Sequence, residues 1–342
     1  MKAAVYRGPK AVSIESVPEP GPPRPGEVTL RVERAAICGT DSAEWAHGPH
    51  LCRPPVILGH EFVGTVVVAG EGVEQLSLGD RVVSGAGVSC GSCAWCARGR
   101  TNLCSSYFTL GLHVDGGLAE LVTTPAAICR RVPAALGNDA AALAQPLAVA
   151  LHAVRRSGAQ PGETVAVIGV GGIGAFIVAG AAARGIAPLI AVDVDDARLE
   201  TARALGATIT LNVAGRDAGQ AIREATGGEG AHVVIEASGA PTAPAAALAA
   251  ARRGGRVALV GLQSAPRELD LFAFTVREVD VFTTLAHVCD VDLPEAIAVL
   301  AARDLVPIVV DRVIPLDALV EEGLRPLAER TATGKIVVDT TR

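Results

Sequence analysis

Apolar and polar positions change rhythm twice along this chain. In the first part, short β-like runs alternate with turns at residues 3–6, 12–17, 28–36, 63–68 and 81–83, with glycines between them. Alternation of this kind predicts a small β-rich domain. The stretch Pro18-Glu19-Pro20-Gly21-Pro22-Pro23-Arg24-Pro25-Gly26-Glu27 admits neither a helix nor a central strand, so an exposed loop is expected there. From Asn138 the composition turns to long Ala/Leu stretches, and residues 143–157 carry a helical period that opens on Gln145-Pro146. The domain hinge is placed at that point. A continuous apolar run follows at 164–168, with a second strand at 188–192 and further strand-like segments at 207–211, 233–235, 257–260 and 279–282, separated by Ala-rich helical segments such as 244–253. Strands buried on both faces read as unbroken apolar runs, and their alternation with helices predicts a doubly wound parallel sheet. The tail returns to strand-like segments at 308–310 and 335–338 and is expected to rejoin the first domain. The expected fold class is therefore α/β. Residues 1–145 plus 287–342 form one domain, and 146–286 are inserted into it. No internal repeat is visible.

Composition narrows the function classes. With 342 residues, half of them hydrophobic and 19% charged, the chain has room for about two domains and does not resemble a disordered polymer. A net charge of −6, with basic residues scattered, argues against nucleic acid as a partner. No signal peptide is expected, because Met1-Lys2-Ala3-Ala4-Val5-Tyr6 reads as a strand. The longest apolar stretches break at Gly, Arg or Asp before about 18 residues, so no membrane span is expected either. The chain is read as cytoplasmic.

The second domain carries a phosphate-binding pattern. The run at 164–168 leads directly into Gly169-Val170-Gly171-Gly172-Ile173-Gly174 and then a helical stretch to about Arg184. A glycine triplet alone is weak. Here a strand precedes it, a helix follows, and Asp193 ends the next strand about 20 residues further on, as a Rossmann dinucleotide site requires. Gly169 allows the turn, Gly171 lets backbone approach the pyrophosphate, and Gly174 lets helix and strand pack closely. Amides at the helix start face the phosphates. Asp193 would accept hydrogen bonds from the adenosine ribose and repel a 2′-phosphate, which predicts NAD+/NADH. Arg198 is the first basic residue after it, and Gly261 and Leu262 complete the candidate cofactor set.

Two further patterns concern metals. Cys90-Gly91-Ser92-Cys93-Ala94-Trp95-Cys96 is followed after seven residues by Cys104. Four thiolates so spaced surround one Zn2+ tetrahedrally and leave no room for water, the mark of a structural site. A redox dithiol needs only two cysteines in a strand–helix setting. A ferredoxin-type cluster has a shorter last spacing followed by proline, where this chain has Ser105. Cys52, Cys129 and Cys289 have no partner spacing and are read as buried or inert thiols. Upstream, Cys38 and Gly59-His60-Glu61 offer a thiolate, an imidazole and a carboxylate, types that hold one Zn2+ with a position left open. A lone Gly-His-Glu reads first as a core histidine beside a surface carboxylate. The glycines add to it: Gly64 follows Glu61 after two residues, Gly70 after five more, and Val73 after a further two.

That string, together with the cysteine lobe and the glycine motif, resembles the zinc-containing alcohol dehydrogenases of the medium-chain dehydrogenase/reductase superfamily. Within it, the chain is similar to the sorbitol, threonine and 2,3-butanediol dehydrogenase branch. The likeness spans nearly the whole length, including Asp115-Gly116-Gly117-Leu118-Ala119-Glu120-Leu121 and Val320-Glu321-Glu322-Gly323-Leu324. The resemblance implies a GroES-like catalytic domain with an inserted Rossmann domain and a zinc lobe at about 88–106. It also implies two Zn2+ per chain and a homodimer or homotetramer. It makes Cys38, His60 and Glu61 ligands of the catalytic zinc and Thr40 the hydroxyl that takes the substrate proton. Two positions depart from the branch. Gln145 stands where relatives place Glu before Pro-Leu, which leaves open whether residue 145 ligates the metal or only orients water. Ala43 stands where a relay histidine is expected, so the proton from Thr40 must leave by water, the cofactor ribose or another side chain such as Glu44 or His47.

The implied activity is NAD-dependent interconversion of a secondary alcohol (a polyol, diol or cyclitol) and its ketone. Zinc-independent reduction of an alkene or quinone by the same fold is the alternative, against which the Cys38/His60 pair and the cysteine lobe both count. A non-catalytic binding protein that keeps the fold is the third reading.

Overall fold

A computed structural model describes all residues from Met1 to Arg342. The chain divides into two compact units, Met1–Ala148 with Val288–Arg342, and Val149–His287. In the first unit a seven-stranded sheet runs in the order Cys129–Arg131, Arg81–Ser84, Glu61–Ala69, Glu27–Ala36, Lys335–Asp339 and Val310–Pro315. Its seventh strand, Leu121–Pro125, also pairs with Glu27–Ala36. The C-terminal strand is thus built into the sheet of the N-terminal segment, with Val337 opposite Ala36. A three-stranded sheet of Ala11–Ser16, Lys2–Gly8 and Val56–Ile57 lies in the same unit, and a short pair, Gly87–Val88 with Phe108–Thr109, flanks the cysteine-rich lobe.

The second unit holds six parallel strands in the order Ile209–Asn212, Leu189–Asp193, Val165–Ile168, Ala231–Glu236, Ala251–Leu259 and Asp280–Thr283. The chain grows outward from Val165–Ile168 in one direction, then crosses back to Ala231–Glu236. That reversal is the topological switch point at which open α/β sheets bind ligands. Every residue of Val165–Ile168 and Leu189–Asp193 is buried. Each Val or Ile side chain so buried stabilises the unit by about 1.5–3 kcal/mol, and their β-branched shape favours the extended backbone. Aspartates start the following helices: Asp195 accepts from the amides of Ala197 and Arg198, and Asp217 from that of Gln220. The last strand, Asp280–Thr283, is different, being exposed along most of its length at the edge of the sheet.

Three local expectations change. Ile308 and Val309 lie in a short helix, Val306–Val309, and the strand begins only at Val310. Pro307 in the first turn and the bond from the Val306 amide to Asp304 Oδ1 (3.1 Å) favour a helical turn over extension. The helix expected through Arg253 ends at Ala250, because Ala251 already pairs with Ala231 in the parallel sheet. The third is an addition: the sequence pattern assigns no element to residues 39–47, and they form the helix Gly39–His47. No helix is long and apolar enough to cross a membrane.

Candidate active site

Sheet register gathers the first group of residues. Ala36 pairs with Glu61 on one side and Val337 on the other. Cys38, two residues beyond Ala36, therefore meets His60 and Glu61 at one end of the sheet, and Lys335 arrives at the same end. Gly59 makes the entry to His60 possible. Its φ is +98°, and a Cβ there would collide with the Leu118 amide. Cys38 stands just before the helix Gly39–His47, which carries Thr40 and Asp41 in its first turn.

The ligand atoms of Cys38, His60 and Glu61 lie within 4.8 Å of one another. Asp41, wholly buried, accepts a hydrogen bond from the Cys38 amide (2.9 Å) on Oδ2 and faces His60 Nδ1 with Oδ1 at 3.6 Å. Neither Asp41 Oδ1 nor His60 Nδ1 has another hydrogen-bond partner. This pair fits a metal ligand well. A metal on Nε2 leaves the proton on Nδ1, where a carboxylate holds the ring in orientation. Burial by itself pushes the His60 imidazole down, but Asp41 and Cys38 outweigh it and hold the ring well above its ordinary value of 6.5. A field that retains a proton so strongly also attracts a dication. Burial likewise acts to lower the Lys335 ammonium, and Glu61 and Cys38 hold it above its ordinary 10.5. Its Nζ lies 2.6 Å from Glu61 Oε2.

Thr40 is half-buried, two residues beyond Cys38, and Ala43 is exposed. Glu44 is not an exposed loop residue: it is 1% accessible, and its carboxylate accepts from the amides of His50 (2.9 Å) and Leu51 (2.6 Å). It fixes the loop after the helix and is not free for proton transfer. His47 is exposed at the end of the helix. Gln145 is buried, 8% accessible, in the first turn of the helix Ala144–Ser157.

The sulfur atoms of Cys90, Cys93, Cys96 and Cys104 lie within 4.8 Å of one another. Cys93 Sγ is 3.6 Å from Cys96 Sγ. Four sulfurs about 2.3 Å from one tetrahedral Zn2+ are about 3.8 Å apart, so the set fits the ion. Amides prepare it. The backbone of Cys96 and Ser105 pulls the Cys93 thiol down to about 5, and the Ser92 and Cys93 amides lower Cys90. Burial and the neighbouring Cys93 push Cys96 up to about 11, a value that a bound cation would reverse. The remaining cysteines, Cys52, Cys129 and Cys289, are buried, and burial raises each thiol to about 11 or 12.

In the second unit, Gly169 has φ +84° and packs against Ser238, while a Cβ on Gly174 would collide with the Gly169 carbonyl oxygen. Gly171 precedes the helix Gly172–Ala183, with Gly172 exposed and Ile173 half-buried. Asp193 is tied into this loop: Oδ2 accepts from the Val170 amide (2.9 Å), and Oδ1 from Val194 (2.8 Å) and Asp195 (3.2 Å). Arg198 Nη1 stands 3.7 Å from Asp193 Oδ1, beside Gly171. A Cβ on Gly261 would collide with the Gly239 amide nitrogen, and Leu262 is exposed.

Sequence reasoning missed two residues here, Asp41 and Lys335. Asp41 lies three residues after Cys38 in Cys38-Gly39-Thr40-Asp41, so its spacing was a usable signal. Nothing in the sequence ties Lys335 to Glu61, because only the antiparallel register brings them together.

Comparison with known proteins agrees with this geometry. Residues 24–134 match the alcohol dehydrogenase GroES-like domain, and residues 172–302 match the zinc-binding dehydrogenase domain. The chain is 38% identical to a sorbitol dehydrogenase of Bacillus subtilis over 77% of its own length and 76% of the relative's. Its fold superposes on a 2R,3R-butanediol dehydrogenase from Bacillus subtilis with a TM-score of 0.90, at 30% identity and with 99% of each chain covered. A zinc-binding dehydrogenase from Sinorhizobium meliloti, bound to NADP, gives 0.90 at 31% identity, covering 99% of this chain and 98% of that one. With both of its domains matched and a curated relative covered over most of its length, the chain belongs to the zinc-containing medium-chain alcohol dehydrogenase family.

Proposed function

We propose that this enzyme oxidises a secondary alcohol of polyol, diol or cyclitol type to its ketone with NAD+, and runs the reverse reduction with NADH. The observation that carries this reading is the buried group of Cys38, His60 and Glu61 with Asp41 behind the imidazole. Cys38, His60 and Glu61 are the residues to hold a catalytic zinc, and Cys90, Cys93, Cys96 and Cys104 a structural one. When bound, the catalytic zinc supplies a Lewis acid for the alcohol oxygen, and the nicotinamide accepts the hydride.

The chain's own residues do the rest. Thr40 takes the hydroxyl proton. With Ala43 exposed and Glu44 engaged by two amides, neither takes that proton further; it would leave by water or, with the cofactor bound, by way of its ribose. Gln145 keeps its position neutral, which favours the anionic form of the substrate oxygen. Gly169, Gly171, Gly172, Ile173 and Gly174 receive the pyrophosphate, with Gly261 and Leu262 lining the cofactor further along. Although the Sinorhizobium relative is bound to NADP, Asp193 favours NAD+ here. Its carboxylate is fixed by three amides, and Arg198, the first basic residue after it, leans toward it, an arrangement that disfavours a 2′-phosphate.

The unpaired cysteines suit a reducing, cytoplasmic compartment. The exposed edge strand Asp280–Thr283, with Leu271, Phe272, Val276 and Leu285 exposed nearby in the chain, supports a homo-oligomer. Small-molecule alcohols and ketones are the partners, not nucleic acid or membrane.

Metal analysis with a panel of polyols, diols and cyclitols, run with NAD+ and NADP+ and counter-screened with ketones, tests the reading. Two zinc ions per chain and a higher kcat/KM with NAD+ are expected. His60→Ala is expected to stay folded and lose turnover by about a thousandfold or more, the scale of removing a Lewis acid worth several kcal/mol. A folded, fully active His60→Ala protein would sink the scheme.

A further inference from the structure

Glu61 has two claimants. Its carboxylate is 1% exposed and belongs to the group that can hold a metal, yet Oε2 lies 2.6 Å from Lys335 Nζ, whose side chain is itself only 10% exposed. Lys335 also donates to the carbonyl oxygen of Ile37 (3.1 Å), the residue before Cys38. The strand carrying Lys335 is locked in place, since the Ile37 amide bonds to the Ile336 carbonyl (3.0 Å) and Val337 pairs with Ala36. A lysine held by one backbone bond and one carboxylate, deep beside two further anionic groups, is not a surface cation turned inward.

Charge explains the arrangement. With a metal bound, Cys38 as thiolate, Glu61 and Asp41 would be three anions, His60 a neutral ligand, and Lys335 the cation paired to Glu61 beside them. They leave two negative charges, the number that a dication neutralises. Without Lys335 the loaded centre would be negative before any substrate arrived, and an anionic substrate oxygen would be repelled. A buried carboxylate also needs a partner. Deprived of the ammonium, Glu61 would turn fully to the metal and close the open position.

We propose that Lys335 is a positioning residue of the metal centre, which holds Glu61 by an ion pair and thereby keeps that carboxylate from binding the metal fully. The proposal rests on the reading of Cys38, His60 and Glu61 as the catalytic zinc site. Lys335 touches no reacting atom. It sets how strongly Glu61 binds the metal and how much negative charge the substrate meets.

The test compares the native enzyme with Lys335→Met, Glu61→Gln and the double variant, and reads metal binding as well as turnover. Zinc affinity of the less tightly held ion is measured by chelator competition, and coordination by the visible absorption of the cobalt-substituted enzyme. Lys335→Met is expected to bind that ion about tenfold more tightly or better, a coupling typical of residues in one buried network, and to show the spectrum of a higher coordination number. Glu61→Gln is expected to weaken binding, because it leaves the ammonium unpaired beside the cation. The double variant, lacking both charges, is expected to return near the native affinity. If Lys335→Met does not fold, the contrast between Glu61→Gln and the double variant decides the matter. Unchanged affinity and cobalt spectrum in Lys335→Met would overturn the proposal, and so would a double variant no different from Glu61→Gln. If the native protein holds only one zinc per chain, retained in His60→Ala, the underlying reading of the catalytic site fails instead.

Discussion

If the Cys38–His60–Glu61 group holds the catalytic metal as proposed, single charges around it should set the pH dependence of turnover. Gln145, buried in the first turn of Ala144–Ser157, carries the first test, because the proposed function makes it a neutral neighbour of that group. Extra negative charge near the centre makes the alcohol harder to deprotonate, so Gln145→Glu is expected to move the rising limb of kcat/KM for alcohol oxidation to higher pH. A unit charge within about 6 Å, at an effective dielectric near 20, is worth about 3 kcal/mol, or on the order of two pH units. Lys335→Met changes the charge by the same amount and in the same direction, and should shift the profile alike. An unchanged profile with unchanged zinc content in Gln145→Glu would mean that residue 145 points away from the metal. At this scale the sequence exposed the residues with strong chemistry and hid their supports. Cys38, His60 and Glu61 were visible because ligand types and glycine spacing coincide. Lys335 was not, because a buried lysine has no spacing rule of its own, whereas Asp41 was missed although its spacing from Cys38 could be read.

Elements differ in how openly they declare themselves. The central parallel strands of the second unit, Leu189–Asp193, Val165–Ile168 and Ala231–Glu236, were legible because they are buried on both faces, so pattern and burial coincide. The helix Gly39–His47 was not. Its buried residues, Asp41, Ser42, Glu44 and Trp45, are mostly polar, and the helix is fixed by side-chain bonds to the backbone instead of an apolar stripe. The short helix Val306–Val309 hid behind a β-branched run whose turn is set by Asp304 and Pro307. The cysteine lobe lies at the other extreme. It has almost no regular structure beyond the four-residue helix Ala94–Ala97 and the turn Thr101–Leu103, and none of the four residues of that helix is buried. With so little packing, metal binding and folding of the lobe are one process. Cys93→Ser should therefore reduce zinc from two ions to one per chain, lower the yield of folded protein and lower Tm by several degrees, read by metal analysis and thermal melts. Full zinc content with an unchanged Tm would show that the lobe is held by something other than the metal.

Across the whole chain, the sheet of the second unit poses a problem that the monomer does not solve. Four strands of that sheet have neighbours on both sides and the half-buried Ile209–Asn212 forms one edge, but Asp280–Thr283 ends the other with an exposed Val281. Phe272 is 77% exposed and Leu285 54%, in the segments just before and after this strand in the chain. Soluble proteins protect such edges with charge, proline or a bulge. Here the strand carries one charged residue, Asp280, and no proline, so the unblocked edge suits pairing with the same strand of a second copy. Light scattering should then give a mass that is a multiple of 34.7 kDa at micromolar concentration. Val281→Lys places a charge on the edge and should shift the population to monomer. The Rossmann fold itself should survive, because the parallel ladder from Ala251–Leu259 to Asp280–Thr283 is left intact. The native chain running as a monomer would refute the edge-pairing argument. A Val281→Lys protein that keeps the native mass would place the contact elsewhere on the surface.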